Sequence, residues 1–323
     1  MKKIKFSFSL IVLLFISSCS FATPPEKIEF PKTDIIYQAI SSNFSNTPSD
    51  NLIGFVNADG SGNTTIKISY RAHLPVFSKA WNGIFFIRAS SPFEIGKQGG
   101  ILLFLNSKGE YKDCNTTDPA YSSFVFPMNV NGMKFVLATD TSSIQLLSLD
   151  DCKVTKTFLK QSEPVQAVIG SVFPSSTGDQ VIFDFYDFSR QTREIKIMDM
   201  NTGETRDILA EGYTKETRNI ATGYNPSLSP DDTKIAFVED DGIYIADSNG
   251  ANRHLLVSLS FPKYFDSLLP TPFWSPDGTL LIYHKCINQV CHDLSDFSIY
   301  KVDVTSGKET KIVDKGLFPV WIK

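Results

Sequence analysis

NPSLSPDDTKIAF (Asn225–Phe237) and TPFWSPDGTLLIY (Thr271–Tyr283) share one frame, x-P-x-x-S-P-D-x-T-x-x-x-aromatic, 271 minus 225 or 46 positions apart. In the second copy, TPFWS is short and apolar and reads as a buried strand. PDG is turn chemistry: Pro276 presets φ, Asp277 bonds its local backbone and Gly278 allows positive φ. TLLIYHK (Thr279–Lys285), FSIYKVDV (Phe297–Val304) and, after the turn TSG, KETKIV (Lys308–Val313) supply three further strands. The unit is a four-stranded antiparallel meander. The first copy repeats the order with YNPSLS, TKIAFVE, GIYIAD and NRHLLV.

Fainter copies precede these two. LPVFS, NGIFFIRAS, GGILLFL and YKDC form one; SSFVF, GMKFVLAT, SIQLLSL and KVTKTFL a second; AVIGSVF, GDQVIFDFY, REIKIMD and TRDIL a third. The chain ends on LFPVWIK, a lone innermost strand, with Pro319 placed 319 minus 272 or 47 positions after Pro272. DIIYQAI (Asp34–Ile40), LIGFVNADGSG and NTTIKIS supply second, third and fourth strands with no first. Joining the two ends completes a sixth unit. The expected fold is therefore all-β: a six-bladed β-propeller of four-stranded antiparallel blades, its ring closed by N- and C-terminal strands sharing one blade. Radial closure protects sheet edges that would otherwise pair with other chains.

Composition agrees. Among 323 residues, 26 Phe and 11 Tyr favour pleated, half-buried surfaces. The formal net charge of −4 becomes about −7 without the three lysines of the leader, and no basic run follows residue 20, which excludes a phosphate-reading nucleic-acid binder.

The leader is residues 1–18. Lys2, Lys3 and Lys5 precede the apolar run FSFSLIVLLFI, too short for a comfortable membrane span. Ile16-Ser17-Ser18-Cys19 resembles a bacterial lipobox, which implies that Cys19 is lipidated and becomes the mature N-terminus. The competing reading is a plain signal peptide cleaved after a small residue such as Ala22. In Gram-negative lipoproteins a residue other than Asp after the Cys, here Ser20, implies outer-membrane sorting. Each buried acyl methylene contributes about 0.8 kcal/mol, so several chains anchor firmly. Residues 19–33 then form a lipidated terminus and linker, and residues 34–323 the propeller. Four further cysteines in an exported chain suggest two disulfides with three possible pairings. Cys286 with Cys291, across a hairpin, and Cys114 with Cys152 are the favoured pairs.

SLSPDDTKIAFVEDDGIYIADSNGANRHLL, FWSPDGTLLIY and SIYKVDVTSGKETKIV resemble the propeller repeats of TolB and related bacterial proteins. The strong matches cover residues 224–313, with NADGSGNTT from Asn57 a third fragment. TolB carries an additional α/β domain before its propeller, and only about fifteen residues separate Cys19 from the first strand here. The resemblance implies the fold and a cell-envelope setting, not membership of a Tol–Pal system.

Catalytic and metal chemistry is sparse. The S-P-D-G turns recur in nonequivalent blades and read as hairpin corners, with Asp231 and Asp277 as turn formers. NADGSGN (Asn57–Asn63) has the oxygen spacing of a calcium loop, but its twelfth position is Ile68 and not an acid, so a hairpin turn is expected. His284, Cys286, Cys291 and His292 form H-x-C-x4-C-H, which zinc could use; in an exported chain oxidised cysteines are the preferred reading. No nucleophile elbow, P-loop or dinucleotide fingerprint occurs. Asp184, Asp187, Glu239, Asp240 and Asp241 lie near strand ends, where solvated loop acids are the default and a glycosidase pair the alternative. Trp274, Trp321 and Phe77 on inner strands read as blade-packing core, with a ligand channel the alternative. No catalytic residue and no cofactor is assigned.

The expected function is a non-catalytic platform, anchored through its N-terminal lipid to a membrane of the cell envelope, on the outer membrane facing periplasm or surface if Gram-negative. It would bind an envelope protein, a peptide or a cell-wall component. The alternatives are an envelope enzyme acting on carbohydrate or peptide at the funnel, and an assembly factor of an outer-membrane complex.

Overall fold

The computed structural model describes residues 27–40, 52–70, 72–88, 101–114, 126–130, 133–139, 143–148, 150–151, 153–159, 167–187, 189, 192–208, 223–239, 241–259, 269–286 and 294–322. Three N-terminal strands come first: β1 (Ile35–Ala39), β2 (Leu52–Val56) and β3 (Thr64–Lys67). Blade 1 is β4 (Ala72–Ser78), β5 (Gly83–Arg88), β6 (Ile101–Asn106) and β7 (Tyr111–Asp113). Blade 2 is β8 (Phe126–Val130), β9 (Met133–Thr139), β10 (Ile144–Ser148) and β11 (Val154–Phe158). Blade 3 is β12 (Ala167–Pro174), β13 (Gln180–Asp187), β14 (Thr192–Asp199) and β15 (Thr205–Asp207). Blade 4 is β16 (Tyr224–Leu228), β17 (Lys234–Glu239), β18 (Gly242–Asp247) and β19 (His254–Ser258). Blade 5 is β20 (Phe273–Trp274), β21 (Leu280–Cys286), β22 (Phe297–Asp303) and β23 (Glu309–Asp314). The last strand, β24 (Gly316–Trp321), lies beside β1, so the closing blade has the order β24-β1-β2-β3.

All six sheets are four-stranded meanders, as the repeats predict. Of the inner strand expected over SSFVF, the first four residues (122–125) lie outside the described residues; the described strand runs from Phe126 to Val130, with Phe126 opposite Leu137. Among the described residues no helix is long and apolar enough to cross a membrane.

Burial falls from axis to rim. β1 is buried at every residue, whereas β3 is almost wholly exposed. An inner strand is covered on both faces by neighbouring blades and reads as a continuous apolar run. A rim strand keeps its backbone pairing but loses that cover, hence the polar TTIK of β3.

Closure is a short antiparallel ladder in which Ile35 faces Trp321, Ile36 faces Val320 and Ala39 faces Gly316. Outside the ladder, Ile322 donates its amide to Asp34 and Ile40 donates to Lys315. Tyr37 lies flat in this blade between two glycines. A Cβ built on Gly54 would meet the Tyr37 ring at 2.0 Å, and one on Gly316 would meet it at 3.0 Å. The phenol donates to Asn63 Oδ1 at 2.6 Å. Burial pushes it up to about 12, so it remains a donor.

The inner strands share an irregularity. Leu74, Asn225 and Phe318 all have positive φ and each precedes a proline. The β4–β5 and β16–β17 registers shift at these points, as β-bulges do. Proline fits a bulge because no ladder donor is needed there.

Gly54→Val is expected to force Tyr37 off the sheet and destabilise the ring by about 1–3 kcal/mol or more. Chemical denaturation of wild type and variant measures this; an unchanged midpoint would contradict the packing described for Tyr37.

Candidate functional site

The inner strands run toward the ends carrying the first hairpin turn of each blade, termed here the hairpin end. There they surround a cavity of about 380 Å³. Every blade contributes one residue at the equivalent axial position: Val76, Phe126, Phe173, Ser227, Phe273 and Val320. Phe126 and Phe173 have centroids 4.7 Å apart, and Phe173 and Phe273 are 4.9 Å apart, so three rings from blades 2, 3 and 5 meet across the axis. Ser227 is the small member of the set, and its hydroxyl donates to Pro272 O at 2.5 Å. The next residues along, Phe77, Trp274 and Trp321 among them, lie between blades and also reach the cavity wall.

The two tryptophans are anchored as blade-packing residues. Trp274 Nε1 donates to Ser227 O at 3.2 Å, and Trp321 Nε1 donates to Phe273 O at 3.0 Å. Each indole thus joins its own blade to the preceding one while its ring excludes water. Phe77 meets Phe30 edge-on at 5.3 Å. Lys79 is the one ionisable residue among those described that line the cavity.

Around the mouth stand the S-P-D turns, and they are self-contained. Ser229 Oγ donates to Asp231 Oδ1 at 2.6 Å, the amide and hydroxyl of Thr233 donate to the same oxygen, and Lys234 N donates back to Ser229 Oγ. Ser275, Asp277, Thr279 and Leu280 reproduce the set. Blade 3 uses Ser175 and Asp179 in the same way. The recurring motif is therefore a hairpin corner, as the sequence implied. The Asn57–Asn63 turn is also a hairpin: Gly60 N donates to Asn57 O, Ser61 N to Asp59 Oδ1, and Ala58 O accepts Lys301 Nζ.

The acidic candidates do not converge. Asp184, 1% exposed, bonds Arg193 at 2.5 Å and accepts the Ser171 amide at 2.6 Å. It fills the place a side chain at residue 170 would need, since a Cβ on Gly170 would stand 2.3 Å from Asp184 Oδ2. Burial pushes the Asp184 carboxyl up, opposed by the Arg193 charge and the Ser171 amide. Arg193 in turn stacks over Tyr224 of blade 4 at 4.2 Å. Glu239 is also buried and pairs with its own arginine, Arg253, which lies over Tyr244 at 4.5 Å. Asp187 accepts the amide and hydroxyl of Ser189, and Asp241 accepts the Tyr244 phenol. None of these acids lines the cavity. Asp240 lies outside the described residues.

His284 is fully buried, and its Nδ1 accepts the Phe318 amide at 3.3 Å. Its ring stands 4.8 Å from Phe318, whose other side meets His73 at 4.7 Å. His73 Nδ1 faces Gln38 Oε1 at 3.1 Å. The sequence pattern offered His284 as a metal ligand; the fold instead aims it at the strand that closes the ring. Cys286 ends β21 opposite Phe297, and Cys114 is buried after β7. Cys19, Cys152, Cys291 and His292 lie outside the described residues, and among the described ones no group of three His, Cys, Asp or Glu could hold a metal.

Sequence reasoning missed four residues that make inter-blade contacts. Asn225 accepts the Ser171 hydroxyl and donates to Leu269 O and Pro270 O, joining blades 3 and 4 to the connection entering blade 5. Asp232 accepts the Ser176 amide and hydroxyl across the same boundary. Lys156 and Lys112 reach carbonyls of Met200 and Asp150 in the following blades. The Asn-Pro dipeptide at residue 225 was the one visible signal.

These features define a six-bladed β-propeller with a small apolar cavity at its axis. No protein-family model matches the sequence, and no curated protein matches it. Among solved structures the chain is similar to TolB from Acinetobacter baumannii, at 14% identity over 89% of this chain and 66% of that one, with a TM-score of 0.60. It is similar to putative TolB from Agrobacterium tumefaciens, at 13% identity over 88% and 89% of the two chains, with a TM-score of 0.55. Virginiamycin B lyase from Staphylococcus aureus follows at 12% identity over 85% and 83%, with a TM-score of 0.50. At such identities the likeness is one of fold, and it spans both TolB proteins and a lyase.

Hydrogen bonds within the turns hold Asp179, Asp231 and Asp277 below the usual carboxylate range. Their folded pKa values lie under the unfolded ones, so the stability they contribute is present above about pH 4 and is lost as pH falls through the folded values. Denaturation followed from neutral pH to pH 3 should show this acid loss. The Asp231→Asn, Asp277→Asn double variant should start lower and lose less; an identical slope would show that the turns are not its source.

Proposed function

We propose that this chain is a lipid-anchored propeller of the cell envelope that binds a protein, peptide or cell-wall component without transforming it. The observation that carries the reading is the cavity wall. Strands of all six blades converge on it, its described lining is aromatic, aliphatic and hydroxylic, and Lys79 is its single ionisable side chain. Acid–base or nucleophilic chemistry needs titratable groups within reach of one reacting atom. Here the buried acids Asp184 and Glu239 are neutralised by separate arginines away from that cavity. A recess with an apolar floor and few polar groups is a binding shape. The lipobox-like Ile16–Cys19 segment and the TolB-like fold support the envelope setting.

A photo-crosslinking amino acid at Lys79 should capture a discrete envelope partner in intact cells, and the same probe at Ser189, at the opposite end of blade 3, should not. Equal labelling from both sites would refute a site at the cavity. Cys19→Ala should move the chain from the membrane to the soluble fraction; its retention in membranes would refute lipid anchoring.

The pairs Cys286–Cys291 and Cys114–Cys152 belong to the same proposal. The Lys112 ammonium bonds Asp150 O at 2.7 Å, and Cys114 and Cys152 each lie two residues beyond these partners in sequence. Peptide mapping without reduction should recover both linked pairs, and free-thiol labelling of all four residues would overturn the assignment.

A further inference from the structure

Blade 1 makes its first hairpin turn without the acid that other blades use there. In blades 3, 4 and 5 the hydroxyl of Ser175, Ser229 or Ser275 donates to a carboxylate of the same turn, Asp179, Asp231 or Asp277. The matching serine of blade 1 is Ser78. Ala80 stands where blades 4 and 5 place Asp231 and Asp277, and Lys79 stands where they place Pro230 and Pro276. The chain also turns one residue later. Positive φ falls at Asn82, 82 minus 78 or four residues after the serine, whereas Asp232 and Gly278 come three residues after theirs. The Asn82 amide closes the turn on Lys79 O at 3.2 Å.

Two polar groups are thereby left over at the cavity wall. Ser78 lines the cavity at 6% exposure, and among the described residues its hydroxyl has no hydrogen-bond partner. A buried hydroxyl without a partner costs free energy, and in the sister turns that partner is a carboxylate. Lys79 lines the exposed mouth and has no ion-pair partner among the described residues. Beneath them lie the rings of Phe126, Phe173 and Phe273.

We infer that the cavity takes the C-terminal residue of a peptide or protein, an aromatic one, with its free carboxylate on the Ser78 hydroxyl and the Lys79 ammonium and its ring on the phenylalanine floor. The inference rests on the binding reading above and names the group that is bound. The incoming carboxylate plays the part that Asp231 and Asp277 play in their own turns, and it meets a cation as well, so both bonds are charge-assisted. A volume of about 380 Å³ is at the small end of ligand sites and suits one large side chain. An aromatic ring fits this floor because edge-to-face contacts add to burial. Charge limits the ligand to one anionic group. Asp179, Asp231 and Asp277 stay on the turns around the mouth, bonded within those turns, and none of them lines the cavity. A single ammonium inside that acidic rim offsets one negative charge, which admits a carboxylate and disfavours a phosphate dianion.

The test is isothermal titration calorimetry of the full chain with N-acetyl-Gly-Gly-Phe and with the same peptide amidated at its C-terminus. The free acid should bind about tenfold more tightly. Ser78→Ala and Lys79→Met should each bring the acid toward the affinity of the amide and leave the amide unchanged, a pattern that general damage to the fold would not give. Ala80→Asp supplies a carboxylate from within the turn and should also weaken the acid selectively. Equal binding of acid and amide in the wild-type chain overturns the carboxylate site. Equal binding of N-acetyl-Gly-Gly-Ala overturns the aromatic preference, and 3-phenylpropionate binding as tightly as the peptide overturns the peptide assignment in favour of a small acid. If neither peptide binds, the inference fails. Photo-crosslinking from Thr177, a cavity residue whose replacement leaves Ser78 and Lys79 in place, then separates the two readings. A captured envelope partner keeps the binding reading without this ligand, and no capture means that the binding reading has failed too.

Discussion

When Asp34 accepts the amide of Ile322 and Ile40 reaches Lys315, the two ends of the chain become neighbours in one sheet. That pairing is the constraint on which the other five blades depend. Each blade buries both faces of its inner strands against its neighbours, so each needs one on either side. In an open row the two end blades would expose an apolar face and a strand edge. β24 removes both defects at once, and it does so with residues as apolar as those of any complete blade. The Tyr37 ring between Gly54 and Gly316 shows how tightly the closing strands approach: on the Gly54 side a Cβ would stand only 2.0 Å from the ring.

Closure also explains the polar contacts that look functional in isolation. His284 presents an acceptor to the Phe318 amide at the bulge of β24. Asp184 accepts the Ser171 amide at the equivalent irregularity of β12. Bulges interrupt the ladder and leave amides without strand partners, and a buried amide needs an acceptor. Histidine and aspartate at these places complete the backbone hydrogen bonding of strands that curve toward the axis. Arg193 and Arg253 then offset the buried carboxylates and spread their apolar stems and planes over tyrosines. Charge in this protein is largely architectural. Among the described residues the strands leave an axial recess, where packing stops short because six strands cannot meet at a point.

Much of the ring was legible along the chain. The S-P-D turns declared the hairpins because serine, aspartate and threonine within five residues can satisfy one another without help from elsewhere. The apolar inner strands and polar rim strands were equally plain, since burial varies along each blade in chain order. The apolar run of blade 2's inner strand gave no hint of which residue would face the axis, and only the pairing of Phe126 with Leu137 decides that. The positive φ at Leu74 and Phe318 was also hidden, because a residue before proline is ordinarily extended.

Local chemistry therefore determined the repeat, the hairpin corners and the need for the two chain ends to meet, because each of these rests on contacts between residues close in sequence or on a periodic count. Tertiary structure alone decided which side chains share a site. Val76, Ser227, Phe273 and Val320 each follow the inner-strand proline, whereas Phe126 and Phe173 carry no such mark, and only radial symmetry brings all six to one axis. It likewise separated acids that were close in sequence pattern, giving Asp184 and Glu239 different arginines in different blades. Spacing along a strand specifies a face, but only the angle between blades specifies what that face meets.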